Sequence, residues 1–217
     1  SHSDIKMAKA LVRAGAHITA VDGQGWSALH VAVQQNQFEF VEVLMDSNVD
    51  PDHTVNTVTA LHVAAALDRA SIAELLVAHG ANVNRADNSG WTPLHHAAAK
   101  GANGALAVLL AANANTELET TDEKPRTALE LAVDNGHDST VALLGRKGAS
   151  LKRLDVDKWL ERNSLEQYKQ LFHDNSITSE LLPALTREFL RELGVTKAGD
   201  ILRFELAVSK LRPKDEL

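Results

Sequence analysis

The apolar positions of this chain fall into two regimes. From residue 4 to about 152, short runs rich in Ala and Leu alternate with polar, turn-forming stretches at a nearly constant interval. Four segments align: Gly25-Trp26-Ser27-Ala28-Leu29-His30, Thr57-Val58-Thr59-Ala60-Leu61-His62, Gly90-Trp91-Thr92-Pro93-Leu94-His95 and Pro125-Arg126-Thr127-Ala128-Leu129-Glu130. Their leucines, at 29, 61, 94 and 129, step by 32, 33 and 35 residues. Each segment leads into an Ala-rich helical stretch. A second helical stretch follows and ends in pairs such as Leu75-Leu76 or Leu109-Leu110. The unit therefore reads as a tight finger, a helix, a short turn and a returning helix. Alone it cannot bury its apolar faces; stacked on neighbours it can. Small residues such as Ala64, Ala65, Ala97 and Ala98 allow the first helices to lie close together.

Helix stops give a sharper test. A helix commonly ends on one residue in the left-handed region, which Gly adopts freely and Asn tolerates. The second helices are expected to stop at Gly15, Asn48, Gly80, Asn113 and Gly148, and the first helices at Asn36, Asp68, Gly101 and Gly136. Nine positions thus follow one backbone rule.

These units resemble ankyrin repeats, and Asp87-Asn88-Ser89-Gly90-Trp91-Thr92-Pro93-Leu94-His95 matches the repeat consensus almost unchanged. The resemblance covers residues 4 to about 152: four full repeats, preceded by a lone second helix from Ile5 to Ala14, so that further chain is expected upstream. Thr57 and Pro125 stand where the finger glycine belongs. The finger Thr121-Asp122-Glu123-Lys124-Pro125 has two extra residues, and Glu130 replaces the motif histidine. The fourth repeat is the least regular, as a terminal repeat should be.

The second regime begins after Lys152-Arg153. Five helical segments are expected near Asp155–Asn163, Glu166–Asn175, Ser179–Ala184, Arg187–Leu193 and Lys197–Leu211, with Trp159, Leu160, Leu165, Tyr168, Leu171, Phe172, Leu181, Leu182, Leu185, Phe189 and Leu190 at helical spacing. Thr186 and Thr196 read as N-caps and Gly194 as a stop. Trp159-Leu160, Leu165-Glu166-Gln167-Tyr168, Leu171-Phe172 and Leu193-Gly194-Val195-Thr196-Lys197-Ala198-Gly199 resemble a SAM (sterile alpha motif) domain over 154–212. The family often carries His-Arg after this last glycine, whereas Asp200-Ile201 stand here and weaken a basic face. The expected fold is all-α apart from the fingers: a curved ankyrin solenoid over 1–153, a five-helix SAM bundle over 154–212 and a tail, 213–217. The short connection is expected to hold the bundle close to the last repeat, where it could shield an exposed Leu face.

Composition narrows the chemistry. The chain has 217 residues, no cysteine and a formal net charge of −7. Disulfides, thiolate metal sites and cysteine nucleophiles are excluded, and the absence of cysteine suits a reducing, cytoplasmic location. The negative balance disfavours nucleic acid, and residues 154–217 hold 10 Lys plus Arg against 12 Asp plus Glu. No apolar run reaches the roughly 20 residues of a membrane span, and the N-terminus lacks the pattern of a signal peptide. The terminal Lys214-Asp215-Glu216-Leu217 spells an ER-retrieval string, read here as an exposed charged end.

His30, His62 and His95 could suggest a metal row, yet one repeat separates them by roughly 10 Å, the helix-to-helix distance, which is too far to share an ion. The expectation is a buried imidazole bonded to the finger backbone and the preceding Ser or Thr. No nucleophile elbow, phosphate loop or carboxylate pair is present. The chain is expected to be non-enzymatic, with no catalytic residues, no cofactor and no metal.

Partner-binding candidates are the finger residues Trp26, Val58, Trp91 and Arg126, together with Gln34, Gln35, Leu67, Lys100 and Asn135, which end the first helices. Trp and Arg are favoured interface anchors. The SAM resemblance implies head-to-tail association, with Asp174, Glu180 and Glu188 as an acidic face and Lys197 and Arg203 as a basic one. The resemblance to both families implies a protein-interaction scaffold or adaptor. It leaves open a regulatory segment of a larger signalling enzyme such as a kinase, with an RNA-binding SAM module as a third class.

Overall fold

The computed structural model describes residues 20–23, 25–149, 151 and 154–212, together with Ala10 and Ile18. The expected helix from Ile5 to Ala14 (apart from Ala10), its stop at Gly15, the connection Lys152-Arg153 and the tail 213–217 lie outside the described residues. The chain divides into two compact units, Ser1–Asn115 and Thr116–Leu217. The fourth repeat therefore groups with the C-terminal bundle.

In the first unit, inner helices Ala28–Gln34, Ala60–Ala66 and Pro93–Lys100 pack side by side. Outer helices Phe38–Asp46, Ala70–Ala78 and Asn103–Ala111 form a second row against them. Ala32, Ala64, Ala65, Ala97 and Ala98 are completely buried, so the inner row is close-packed because methyl groups alone separate its backbones. Thr54–Val55 and Val58–Thr59 form an antiparallel finger hairpin, with Val55 opposite Val58.

All eight helix stops that fall within the described repeats are left-handed, with φ between 54° and 88°. The residue after each one donates its N–H five residues back, as in Arg69 to Ala64 at 2.9 Å and Ala114 to Leu109 at 3.0 Å. These bonds satisfy carbonyls that the helix itself leaves open. Asp68 does more: its carboxylate accepts the Ala105 N–H at 2.7 Å and so caps the outer helix of the following repeat.

The second unit pairs Ala128–Asp134 with Asp138–Gly145, then adds the bundle. The first bundle helix spans Val156–Arg162, with Asp155 accepting the Lys158 N–H as N-cap. The expected helix 166–175 divides into a 3-10 turn, Glu166–Tyr168, and the α-helix Lys169–Asp174. Ser179–Ala184 is 3-10 throughout, which turns Leu182 inward and leaves Leu181 44% exposed. Helix Arg187–Leu193 is capped by Thr186 and stops at Gly194, as expected. The last helix, Ala198–Ser209, begins one residue later than the pattern suggested, so that Lys197 and not Thr196 takes the N-cap position, with no side-chain cap bond. Phe204 is fully buried among Trp159, Tyr168 and Phe172.

Candidate partner-binding surfaces

In the first and third repeats the finger is built by one acidic side chain. Asp22 accepts the Trp26 N–H at 2.9 Å and returns its own N–H to the Trp26 carbonyl at 2.9 Å. Asp87 does the same for Trp91, also at 2.9 Å each way, and takes the Ser89 N–H at 2.8 Å. The backbone of each tryptophan is thereby occupied and its indole stands half-buried at the finger tip. Trp26 meets His30 edge-on at 5.7 Å, and Trp91 lies 5.1 Å from His96. In the second repeat Thr57 takes the glycine position at φ 72°, a conformation that costs a non-glycine residue roughly 1–2 kcal/mol. Its hydroxyl offsets part of this by accepting the Asn88 N–H of the next finger at 3.0 Å.

The inner helices of the first two repeats are each tied to the next finger by a histidine. His62 Nδ1 accepts the Thr59 N–H at 3.1 Å, which completes a capping box and makes Nε2 the protonated nitrogen. Nε2–H then donates to the Trp91 carbonyl, 29 residues on, at 3.1 Å. His30 reaches the Val58 carbonyl at the same distance. Burial pushes His62 down to about 4, helped by the charge of His96 and opposed by the Trp91 carbonyl and Asp87. Burial also lowers His30 and His96. Glu130 fills the histidine position of the fourth repeat and accepts the Thr127 N–H at 3.0 Å. A carboxylate can cap in this way but cannot donate onward, so the substitution keeps the cap and drops the relay.

Val58 is half-buried on its strand, while Gln34, Gln35, Lys100 and Asn135 are exposed at the ends of their inner helices. Leu67 is 42% exposed, an apolar side chain with an open face. Arg126 sits differently from the tryptophans. Its guanidinium lies 3.5 Å from Asp122 and 3.4 Å from Asp134, so its charge is matched within the second unit.

In the bundle, Asp174, Glu180 and Glu188 are exposed. Asp174 accepts from Gln170 at 2.7 Å. Lys197 is exposed, but Arg203 donates to Asp200 at 2.7 Å. Asp200 is a hub the sequence did not disclose: it is buried and also accepts from Tyr168 Oη at 2.7 Å and Gln167 at 3.2 Å. The Tyr168 hydrogen bond, followed by Gln167, Arg203 and Lys197, holds its carboxyl below the usual range. Position 200 as an acidic residue was visible; its partners, 32 and 33 residues away, were not.

Among the described residues, no group of His, Asp and Glu lies close enough to hold a metal ion. No described helix is long and apolar enough to cross a membrane. The family model for ankyrin repeats (3 copies) matches residues 1–87 and 85–155, and the model for the SAM domain (sterile alpha motif) matches 152–212. The chain belongs to the ankyrin-repeat family. Its repeats are followed by a SAM domain, and both are non-catalytic protein-interaction modules. The ankyrin-repeat chain is 30% identical over 161 residues to the probable 26S proteasome regulatory subunit p28 of Saccharomyces cerevisiae, covering 71% of this chain and 70% of that protein. It is 32% identical over 179 residues to the mouse B-cell lymphoma 3 protein homolog, covering 75% of this chain and 40% of that one. A 93-residue stretch, 42% of this chain, is 37% identical to the glycerophosphocholine phosphodiesterase gde1 of Schizosaccharomyces pombe, of which it spans 8%.

Proposed function

We propose that the chain is a scaffold or adaptor that holds two partners at once. The ankyrin surface bearing Trp26, Val58, Trp91, Gln34, Gln35, Leu67 and Lys100 takes one protein, with Arg126 and Asn135 as the equivalent positions of the fourth repeat. The SAM domain takes a second protein or another copy of itself, in the cytoplasm. Trp91 carries the reading. Its backbone is fully bonded within its finger, so a large aromatic anchor is held rigidly and half open, in a chain with three tryptophans. Trp91→Ala is expected to weaken partner capture by roughly 30-fold, the loss of an anchor worth about 2 kcal/mol. The fold should lose only about 1 kcal/mol, the worth of the ring contact with His96. Quantitative pull-downs beside thermal melts separate the two effects; a collapse in melting temperature would make Trp91 structural instead.

SAM association has a narrower basis. Asp174, Glu180 and Glu188 would meet Lys197 and Arg203 of another molecule, but Asp200 already neutralises Arg203. Head-to-tail assembly is therefore expected to be weak in this chain, and Arg203 alone should not drive it. Light scattering over a concentration series should show a monomer at low concentration and a rising mass only at high concentration; early, open-ended growth would contradict this. The likeness to a short stretch of a much longer phosphodiesterase supports a second reading, a targeting or regulatory segment of a larger signalling enzyme, a kinase among the candidates. The full reading frame decides between the two. RNA binding by the SAM domain is disfavoured by its excess of acidic residues.

A further inference from the structure

The outer helices of the first three repeats carry a bulky apolar residue three positions before their left-handed stop: Met45, Val77 and Leu110. The fourth repeat has Gly145 at that position. A helical glycine is unfavourable unless something needs the space. Here the backbone carbonyl of Leu211, at the end of the last bundle helix, lies 3.6 Å from where a Cβ would stand. Three further contacts join the same two parts. The Arg162 guanidinium donates to the Val133 carbonyl in the last turn of Ala128–Asp134 and lies 3.7 Å from the Asp134 carboxylate. Lys210 pairs with Asp138, in the first turn of the outer helix, at 2.5 Å. The helix Val156–Arg162 packs on Ala128–Asp134, and Val133, Val141, Trp159, Ala207 and Leu211 line the seam.

We infer that the fourth repeat and the SAM bundle fold and open as one cooperative unit, the bundle serving as the terminal cap of the repeat through a seat on Gly145. The outermost repeat of a solenoid has an apolar face with no following repeat to cover it. Leu144 and Val141 of this repeat are nonetheless buried, at 0% and 3% exposure. The face of the bundle that carries Arg162 and Leu211 is thereby occupied within the chain, which leaves its other faces for association.

Hydrogen exchange by mass spectrometry on the full chain tests the coupling in both directions, because a coupling between two parts is reciprocal. Gly145→Leu restores the bulk of the other repeats and places its γ-carbon against the Leu211 carbonyl. It is expected to speed exchange in the bundle, across 156–211, as well as in its own helix. Gly145→Ala adds only an ordinary contact and should leave exchange in the bundle unchanged or slower. Arg162→Ala alters the bundle alone, and should speed exchange across 128–145 roughly three- to tenfold, the factor for one charge-assisted hydrogen bond in a partly exposed setting. Wild-type exchange in the bundle of Gly145→Leu, or in the repeat of Arg162→Ala, would overturn the inference. If Gly145→Leu does not fold, Arg162→Ala alone decides it.

Discussion

His62→Ala is expected to cost the first unit about 3 kcal/mol at pH 7 and almost nothing at pH 4. At neutral pH the side chain accepts the Thr59 N–H in the buried interior and donates to the Trp91 carbonyl at a part-buried position. Truncation takes the imidazole acceptor from the Thr59 N–H, at about 1–3 kcal/mol, and one of two donors from the Trp91 carbonyl, which keeps the Asp87 N–H, at about 1 kcal/mol. The pH dependence follows from the depressed value. The folded imidazole titrates at about 4 and the unfolded one near 6.5. Above 6.5 neither state binds the proton, and the stabilisation is whole. Between 6.5 and 4 the unfolded chain binds it and the folded chain does not, so acid favours unfolding. The integrated loss over that window is about 3 kcal/mol. The groups facing His62 are His96 and Asp87 with the Trp91 and Arg85 carbonyls, and the charge of His96 adds to the effect of acid. Urea titrations of wild type and variant at pH 7 and pH 4 measure the gap. A gap that stays constant with pH would show that the imidazole is not the neutral donor described.

Phe204→Ala is the matching prediction for the bundle. Its ring is fully buried, stacked at 5.5 Å and 11° on Phe172, and lies 5.4 Å from Tyr168 and 6.3 Å from Trp159. Removing such a ring typically costs about 3–5 kcal/mol through lost transfer energy and the cavity left behind. That approaches the whole stability of a small domain. The near-UV circular dichroism of the bundle aromatics should collapse at temperatures where the inner and outer helices of the first unit keep their far-UV signal. Phe204→Leu, which keeps most of the volume, should lose well under half as much. Equal losses in the two variants would mean the site relaxes around the gap and the ring cluster contributes little.

What could be read from the sequence was governed by local rules. The stops at Asn36, Asp68, Gly101 and Gly136, and at Asn48, Gly80, Asn113 and Gly148, depend on the φ of single residues, so residue type alone exposes them. The histidines were legible as buried groups bonded to Ser27, Thr59 and Thr92, since that contact spans three residues. A bond to finger backbone was expected too, but not that His30 and His62 would reach the next finger, at Val58 and Trp91. The same distance in sequence hid Asp200, whose partners come from another helix, and Arg126, whose guanidinium turns toward Asp134 at the far end of its own inner helix. Ser179–Ala184 was legible as a helical segment, but not that the whole of it, Pro183 included, winds as a 3-10 helix. That the bundle would lie close to the last repeat was expected from the short connection, whereas the place of Gly145 appears only once Leu211 is beside it.

The histidine relay also has a direction. The imidazoles of His30 and His62 each bond within their own repeat and reach forward to the carbonyl of the next finger, not backward. Such a chain can lengthen by duplication of an interior unit, because a copy of the second repeat brings its own donor, His62, and presents its own carbonyl, that of Val58. A copy of the fourth could not be followed in the same way, since Glu130 has nothing to hand on. One glutamate in place of one histidine thus marks the repeat at which the imidazole relay stops.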